Sequence, residues 1–226
     1  MNRIICDSSS LISLGNICAL GILPYLEEEH DTEFIIPKSV EDEIVKRPMK
    51  TKKFKLKAIK FRELIKQNTL QVESIRKAKK ESNKIMRISN NLLISEEGKK
   101  PIELIHKGEA RALALLNVLN APNLLIDERT TRLLVEDIEK LKKYIESQSN
   151  VKLMINEKER RKIKKKTKNK NIMRSSEIIA IAYEDGYFSE RSKELLEGSL
   201  YAAKFAGCGI KSQEIREYLH LLEGKK

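Results

Sequence analysis

The chain has 226 residues, 40% hydrophobic and 35% charged, with a net charge of +12 and a pI near 9.5. That is enough apolar material for one elaborated domain, and the charge calls for an anionic partner without deciding the fold. No apolar run spans a bilayer. The first residues lack a cleavable leader's basic start and small-residue cleavage site. The cysteines Cys6, Cys18 and Cys208 form no C-x-x-C pair, and His30, His106 and His220 are scattered. A membrane span, a zinc knuckle and a histidine-based hydrolase are thereby disfavoured, and a cytoplasmic protein with reduced thiols is expected.

In chain order, Arg3 to Cys6 is short, apolar and β-rich, and stops at Asp7. Ser8-Ser9-Ser10 can cap a helix, and apolar residues then recur at helical spacing from Leu11 to Ile22, with a kink or new turn at Pro24. Phe34-Ile35-Ile36 reads as a buried strand ended by Pro37, followed by a short helix through Val45. Residues 46–66 carry an apolar spine of Phe54, Ala58, Phe61, Leu64 and Ile65, which predicts an amphipathic helix. Leu70-Gln71-Val72 alternates like an edge strand. Residues 76–96 read as helix, with Ile85, Ile88 and Leu92 inward. Gly108 to Leu119 is a helix apolar nearly all round, hence buried. Asn123 to Ile126 is a strand ending at Asp127, and a helix follows with Leu133, Leu134, Ile138, Leu141 and Ile145 inward. Val151 to Ile155 is a further strand. Residues 157–170 are almost wholly charged, and helices run from about Ser175 to Leu222 with breaks near Gly186 and Gly207.

Strands alternating with helices predict a mostly parallel sheet covered on both faces. Ligands of such sheets gather beyond the carboxyl ends of the strands. Asp7 and Asp127 both follow a strand and so should share that edge. Glu43, on the short helix after Pro37, and Glu109, after Gly108, are the other candidate acids. Helix capping accounts for any one of them alone. Two strand-end acids at one edge point instead to a joint site. Crowded carboxylates raise one another's pKa, and a divalent cation relieves the repulsion. Oxygen donors without His or Cys suit Mg²⁺ or Mn²⁺ better than zinc.

Four stretches carry a family resemblance. They are Ile4-Ile5-Cys6-Asp7-Ser8-Ser9-Ser10-Leu11-Ile12, Pro37-Lys38-Ser39-Val40-Glu41-Asp42-Glu43-Ile44, Lys107-Gly108-Glu109-Ala110-Arg111-Ala112-Leu113-Ala114 and Leu124-Leu125-Ile126-Asp127-Glu128-Arg129-Thr130-Thr131-Arg132. In that order they resemble the PIN-domain family, the fold of many toxin nucleases of toxin–antitoxin pairs and of several RNA-processing nucleases. The match spans roughly residues 1–155, with a weaker continuation through Ser176-Glu177-Ile178-Ile179-Ala180.

The resemblance implies a three-layer α/β/α fold around a central, mostly parallel sheet of about five strands, with extra C-terminal helices. It implies a metal-dependent endoribonuclease with Asp7, Glu43, Glu109 and Asp127 as catalytic acids. Asp7, Glu109 and Asp127 would hold Mg²⁺ or Mn²⁺, and Glu43 would be an outer ligand or orient water. Ser9 is the expected supporting hydroxyl, with Ser8 as its alternate. Glu128 stands where the family more often has Asp, as a second supporting residue. The competing reading is a non-catalytic nucleic-acid-binding or scaffold protein on the same fold. A structure-specific DNA nuclease of related fold would need more acids than the sequence places.

The expected domain plan is a nuclease unit over 1–155 with a Lys-rich helical excursion at 46–100, a basic insertion at 156–172, and C-terminal helices over 173–226 packing on the same domain. Residues 46–66 hold ten Lys/Arg against one Glu, and residues 157–170 hold nine against two. RNA is the expected partner, with a homodimer and an antitoxin-like protein left open. The residues expected to grip its backbone are Lys53, Lys57, Arg160, Arg161, Lys164, Lys165, Lys166 and Lys168. With aromatics at 5% and no Trp, stacking platforms look sparse. Ile163 is the only apolar residue of 157–170, so that insertion is expected to be mobile when free of RNA.

Overall fold

The computed structural model describes residues 2–189 and 192–223. Its strands are β1 (Asn2–Cys6), β2 (Thr32–Pro37), β3 (Leu70–Glu73), β4 (Leu93–Ser95), β5 (Asn123–Leu125), β6 (Leu153–Ile155) and β7 (Asn171–Met173). Five of them form one sheet in the order β3-β2-β1-β5-β7, and every pairing in it is parallel. The helices are α1 (Ser8–Asn16), α2 (Ile22–His30), α3 (Lys38–Glu41), α4 (Lys55–Lys66), α5 (Arg76–Ser89), α6 (Lys107–Val118), α7 (Arg129–Glu136), α8 (Ile138–Ser149), α9 (Glu157–Thr167), α10 (Ser175–Asp185), α11 (Lys193–Ala206) and α12 (Ser212–Glu223). None is long and apolar enough to cross a membrane among the described residues.

Side chains alternate across each strand, and that sorts them into two cores. Ile4, Cys6, Phe34, Ile36 and Leu125 enter one core with residues of α1, α2, α4, α10, α11 and α12. Ile5, Ile35 and Leu124 enter the other with residues of α5 to α9. Both faces of the sheet are therefore covered, which is why its strands read as short continuous apolar runs. The result is the expected three-layer α/β/α architecture, with β1 at the centre of the sheet.

Several elements differ from the sequence expectation, each for a local reason. The helical run from Leu11 stops at Asn16, because Cys18 takes a left-handed backbone (φ 59°) and Pro24 falls in the first turn of the separate helix α2. The short helix after Pro37 becomes α3 and then a π-helical turn, Asp42–Lys46, which carries Glu43. Residues 76–96 are not one helix: α5 ends at Ser89, and Leu93–Ser95 forms β4. The strand expected at Val151 to Ile155 is β6, which pairs antiparallel with β4 outside the main sheet. The fifth strand of the sheet is instead β7, three residues long and preceded by lysines, with no apolar run to announce it. The helix after Asp127 is divided by Asp137, whose side chain caps α8 through the Lys140 amide.

The basic stretch is the largest correction. Residues 157–167 form a docked helix rather than a mobile segment. Asn156 caps it by accepting from the Lys158 and Glu159 amides. Glu157 and Glu159 lie at its N-terminal end and the lysines at its C-terminal end, as the helix dipole favours. Ile163 is 0% exposed, because it enters a core already built by α5, α6 and α8. Lys166 pairs with Glu81 on α5, and Arg160 reaches Glu139 at 2.9 Å. A single apolar side chain suffices where it plugs an existing core. Ile163→Ala should lower stability to urea unfolding by about 2–4 kcal/mol. A loss within measurement error would show that α9 is not docked.

Candidate active site

β1 runs into Asp7, whose amide donates to the Leu125 carbonyl at 2.9 Å and so registers it against the end of β5. Its carboxylate caps α1, with Oδ2 accepting from the Ser9 amide at 3.0 Å and from Ser9 Oγ at 2.8 Å. The same Ser9 hydroxyl accepts from the Asp127 amide at 3.1 Å. One hydroxyl thus ties the two strand-end acids together across adjacent parallel strands. Asp127 is held from the other side by the first residue of α10: the Ser175 amide donates to Oδ1 and Ser175 Oγ to Oδ2, each at 2.8 Å. Asp7 is 3% exposed and Asp127 2%.

Glu43 comes in from the π-helical turn beyond β2. Its Oε2 accepts from Ser8 Oγ at 2.7 Å, while its Oε1 lies 3.8 Å from where a side chain on Gly108 would begin. The start of α6 therefore abuts Glu43. Glu109, one residue on, is half-buried and folds back to accept from the His106 amide at 3.1 Å, capping its own helix. Of the two serines considered from the sequence, Ser9 serves Asp7 and Asp127, and Ser8 serves Glu43.

These groups feel one another. Burial pushes the Asp7 carboxyl up to about 6; the two bonds from Ser9 pull against it, and the charges of Glu109 and Glu43 push it further up. Glu128 faces a different task. Its two oxygens accept from the Thr130 and Thr131 amides at 2.7 and 2.6 Å, so it caps α7.

Sequence reasoning missed Ser175 and its neighbour Arg174. Burial opposes the charge of Arg174, but Glu177 and Glu214 outweigh it, at 2.6 and 2.7 Å, and keep the guanidinium protonated. Arg174 also donates to the Gly209 carbonyl at 3.2 Å, which draws the α11–α12 loop over Asp127. A Cβ on Gly209 would stand 3.0 Å from the Asp127 carbonyl oxygen, so that crossing needs glycine. The signal was present in Met173-Arg174-Ser175-Ser176, which repeats the strand, polar residue and paired serines of Cys6-Asp7-Ser8-Ser9. The lysines before β7 concealed it.

The basic candidates are dispersed. Lys53 lies 5.4 Å from the Phe54 ring, and Lys57 bonds Asn16 at the end of α1. Arg160 and Lys166 are engaged in ion pairs, whereas Arg161, Lys164, Lys165 and Lys168 are exposed. Lys170 donates to the Ala121 carbonyl and the Asn171 amide to that of Pro122. The C-terminal end of α9 is therefore at the amino edge of the sheet, across from the acids rather than beside them.

The acids and serines at the carboxyl edge offer carboxylate and hydroxyl oxygens, and that chemistry fits a hard divalent cation. Both hydrogen bonds to Asp7 land on Oδ2, which leaves Oδ1 as a donor. Among the described residues, no three His, Cys, Asp or Glu side chains converge closely enough to cage an ion. That arrangement suits an ion held by one or two carboxylates and otherwise by water.

Fold and site together define a three-layer α/β protein that gathers acids at the carboxyl edge of a parallel sheet. A family profile described as a PIN domain matches residues 3–139, and the chain belongs to the PIN-domain family. PIN domains are generally nucleases and generally use divalent metal ions. The matched stretch contains Asp7, Glu43, Glu109 and Asp127; α9 to α12 lie beyond it. No curated protein and no solved structure matches the chain.

The raised Asp7 value has a consequence for stability. Its folded value lies above the ordinary 3.8, so the folded state holds the proton more tightly than the unfolded chain. The stabilisation is full below that ordinary value and is lost as pH rises through about 6. In EDTA, Asp7→Asn should therefore be more stable than the parent above pH 7, by up to about 3 kcal/mol. The gain should vanish near pH 4. Denaturant melts across that range check it; a gain independent of pH would contradict the assignment.

Proposed function

We propose that the protein is a metal-dependent endoribonuclease that hydrolyses RNA phosphodiester bonds at this acidic edge. The observation that carries the reading is the Ser9 bridge, which holds two buried strand-end acids together while Glu43 and Glu109 press their charge on one of them. Such crowding is costly to a protein with no use for it. In this reading Asp7, Glu109 and Asp127 would hold Mg²⁺ or Mn²⁺, one or two of them directly and the rest through water. The ion, when bound, supplies an acidified water and neutralises charge at the leaving oxygen.

The chain's own residues do the rest. Ser9 fixes the carboxylate of Asp7, and Ser175 fixes that of Asp127. Ser8 orients Glu43, which in this reading is an outer ligand or orients water. Glu128, as the cap of α7, stiffens the turn that follows Asp127. The net charge of +12 draws the polyanion that the acids alone would repel. Exposed Arg161, Lys164, Lys165 and Lys168 are proposed to hold RNA backbone away from the cut site, with Lys53, Lys57, Arg160 and Lys166 available only where their present contacts yield. We assign the activity to the cytoplasm, in keeping with three free cysteines, Cys6, Cys18 and Cys208.

A non-catalytic RNA-binding protein on the same fold is the second reading. It is favoured by one observation: each of the four acids already accepts a hydrogen bond from within the protein. One experiment separates the two. Purified protein is incubated with a mixed RNA pool in Mn²⁺ or in EDTA, beside Asp7→Asn. The enzyme reading expects Mn²⁺-dependent cuts that fall by roughly a hundredfold or more in the variant, while RNA affinity in EDTA is kept or rises. Equal cutting by a folded Asp7→Asn protein would reject this pocket as the catalytic one.

A further inference from the structure

The sequence holds few aromatic residues, yet one of them is left almost fully in water beside the acidic edge. Phe205, near the end of α11, is 82% exposed. Its ring stacks on that of Tyr201 one turn earlier, with centroids 6.4 Å apart and planes 26° from parallel. The Lys204 ammonium lies 5.7 Å from the Tyr201 ring and 5.8 Å from the Phe205 ring. It is tethered there by Ser212 Oγ at 2.5 Å, so the charge is fixed against the aromatic pair.

This arrangement is anchored to the acids. Immediately after Phe205, the Ala206 carbonyl accepts from Ser13 Oγ at 3.5 Å, and that hydroxyl also donates to the Ser9 carbonyl at 3.1 Å. Ser9 is the residue that bridges Asp7 and Asp127. Three residues further on, Gly209 is pressed against the Asp127 carbonyl oxygen. Phe205 therefore immediately precedes the segment 206–209, which touches α1 at Ser13 and Asp127 through Gly209.

We propose that Phe205 and Tyr201, with Lys204 between them, form a stacking platform for a base of single-stranded RNA, whose adjoining phosphate then lies over the acidic edge. The proposal rests on the endoribonuclease reading for its place in the reaction, and it adds a base-binding subsite on α11, beyond the matched family segment. A pocket of carboxylates repels phosphate, so affinity must come from its surroundings. A ring face recognises any base without reading sequence, and a cation beside it meets the backbone. A duplex keeps its bases stacked inside and cannot offer one to such a platform.

The test uses the full chain in EDTA, so binding is read without cleavage and the two readings can fail separately. The probes are an unstructured RNA of about twelve nucleotides and the duplex made from it. Phe205→Ala, a change at an exposed position that leaves the core intact, should weaken single-strand binding about tenfold and duplex binding hardly at all. Phe205→Trp should keep the affinity. The chain has no other Trp, so emission from this variant reports the platform alone and should be quenched by the single strand. Unchanged single-strand affinity in Phe205→Ala would overturn the proposal, as would equal quenching by the duplex. Sedimentation supplies a further outcome: if Phe205→Ala splits a dimer and leaves RNA affinity intact, the face is a contact between copies and the proposal falls.

Discussion

Buried carboxylates repel one another, and the carboxyl edge of this sheet is arranged around that repulsion. Asp7 and Asp127 terminate neighbouring parallel strands, so the sheet itself forces them together. Each is offset by the amide end of a helix and by a serine hydroxyl: Asp7 by α1 and Ser9, Asp127 by α10 and Ser175. Glu109 is offset by the N-terminus of α6. Helix N-termini carry partial positive charge and free amide donors, which are the groups an acid needs when no cation is present. The compensation is incomplete for Asp7, whose carboxyl still sits near 6.

That residual repulsion links fold to function. A parallel sheet brings strand ends to one edge, and every helix that follows a strand there begins at that edge. Three of these junctions meet at the site, Asp7 before α1, Asp127 before α7 and Arg174 before α10, the last holding an arginine instead of an acid. Arg174 does not enter the pocket's hydrogen bonds to Asp127. It ties α10 to α12 and to Gly209, and so fixes the loop that closes over Asp127. The acids thus sit between two helix starts and beneath one loop, each held by a separate contact.

Much of this could be read from the residues. Asp7 and Asp127 were placed at one edge because each follows a short apolar run, and parallel pairing left no other arrangement. Both sheet faces were inferable from strands without polar alternation. β7 was hidden, because its three residues gain their strand character only from pairing with β5. β4 was hidden for the same reason within a helical-looking stretch. The docking of α9 was hidden because one isoleucine in a run of charge gives no periodic signal, while the core that receives Ile163 is assembled from distant segments. Ser175 escaped because its role depends on β7. The exposure of Phe205 also has no sequence signature, since an aromatic at helical spacing reads equally well as core.

The proposed activity requires the acidic edge to be a cation site organised by Asp7. Mn²⁺ binding followed by the loss of free-ion paramagnetic resonance signal, in the parent protein and in Asp7→Asn at neutral pH, tests it most directly. Saturable binding that Mg²⁺ displaces and that weakens by roughly tenfold or more in the variant is the predicted result. Binding of equal strength in both proteins would contradict it.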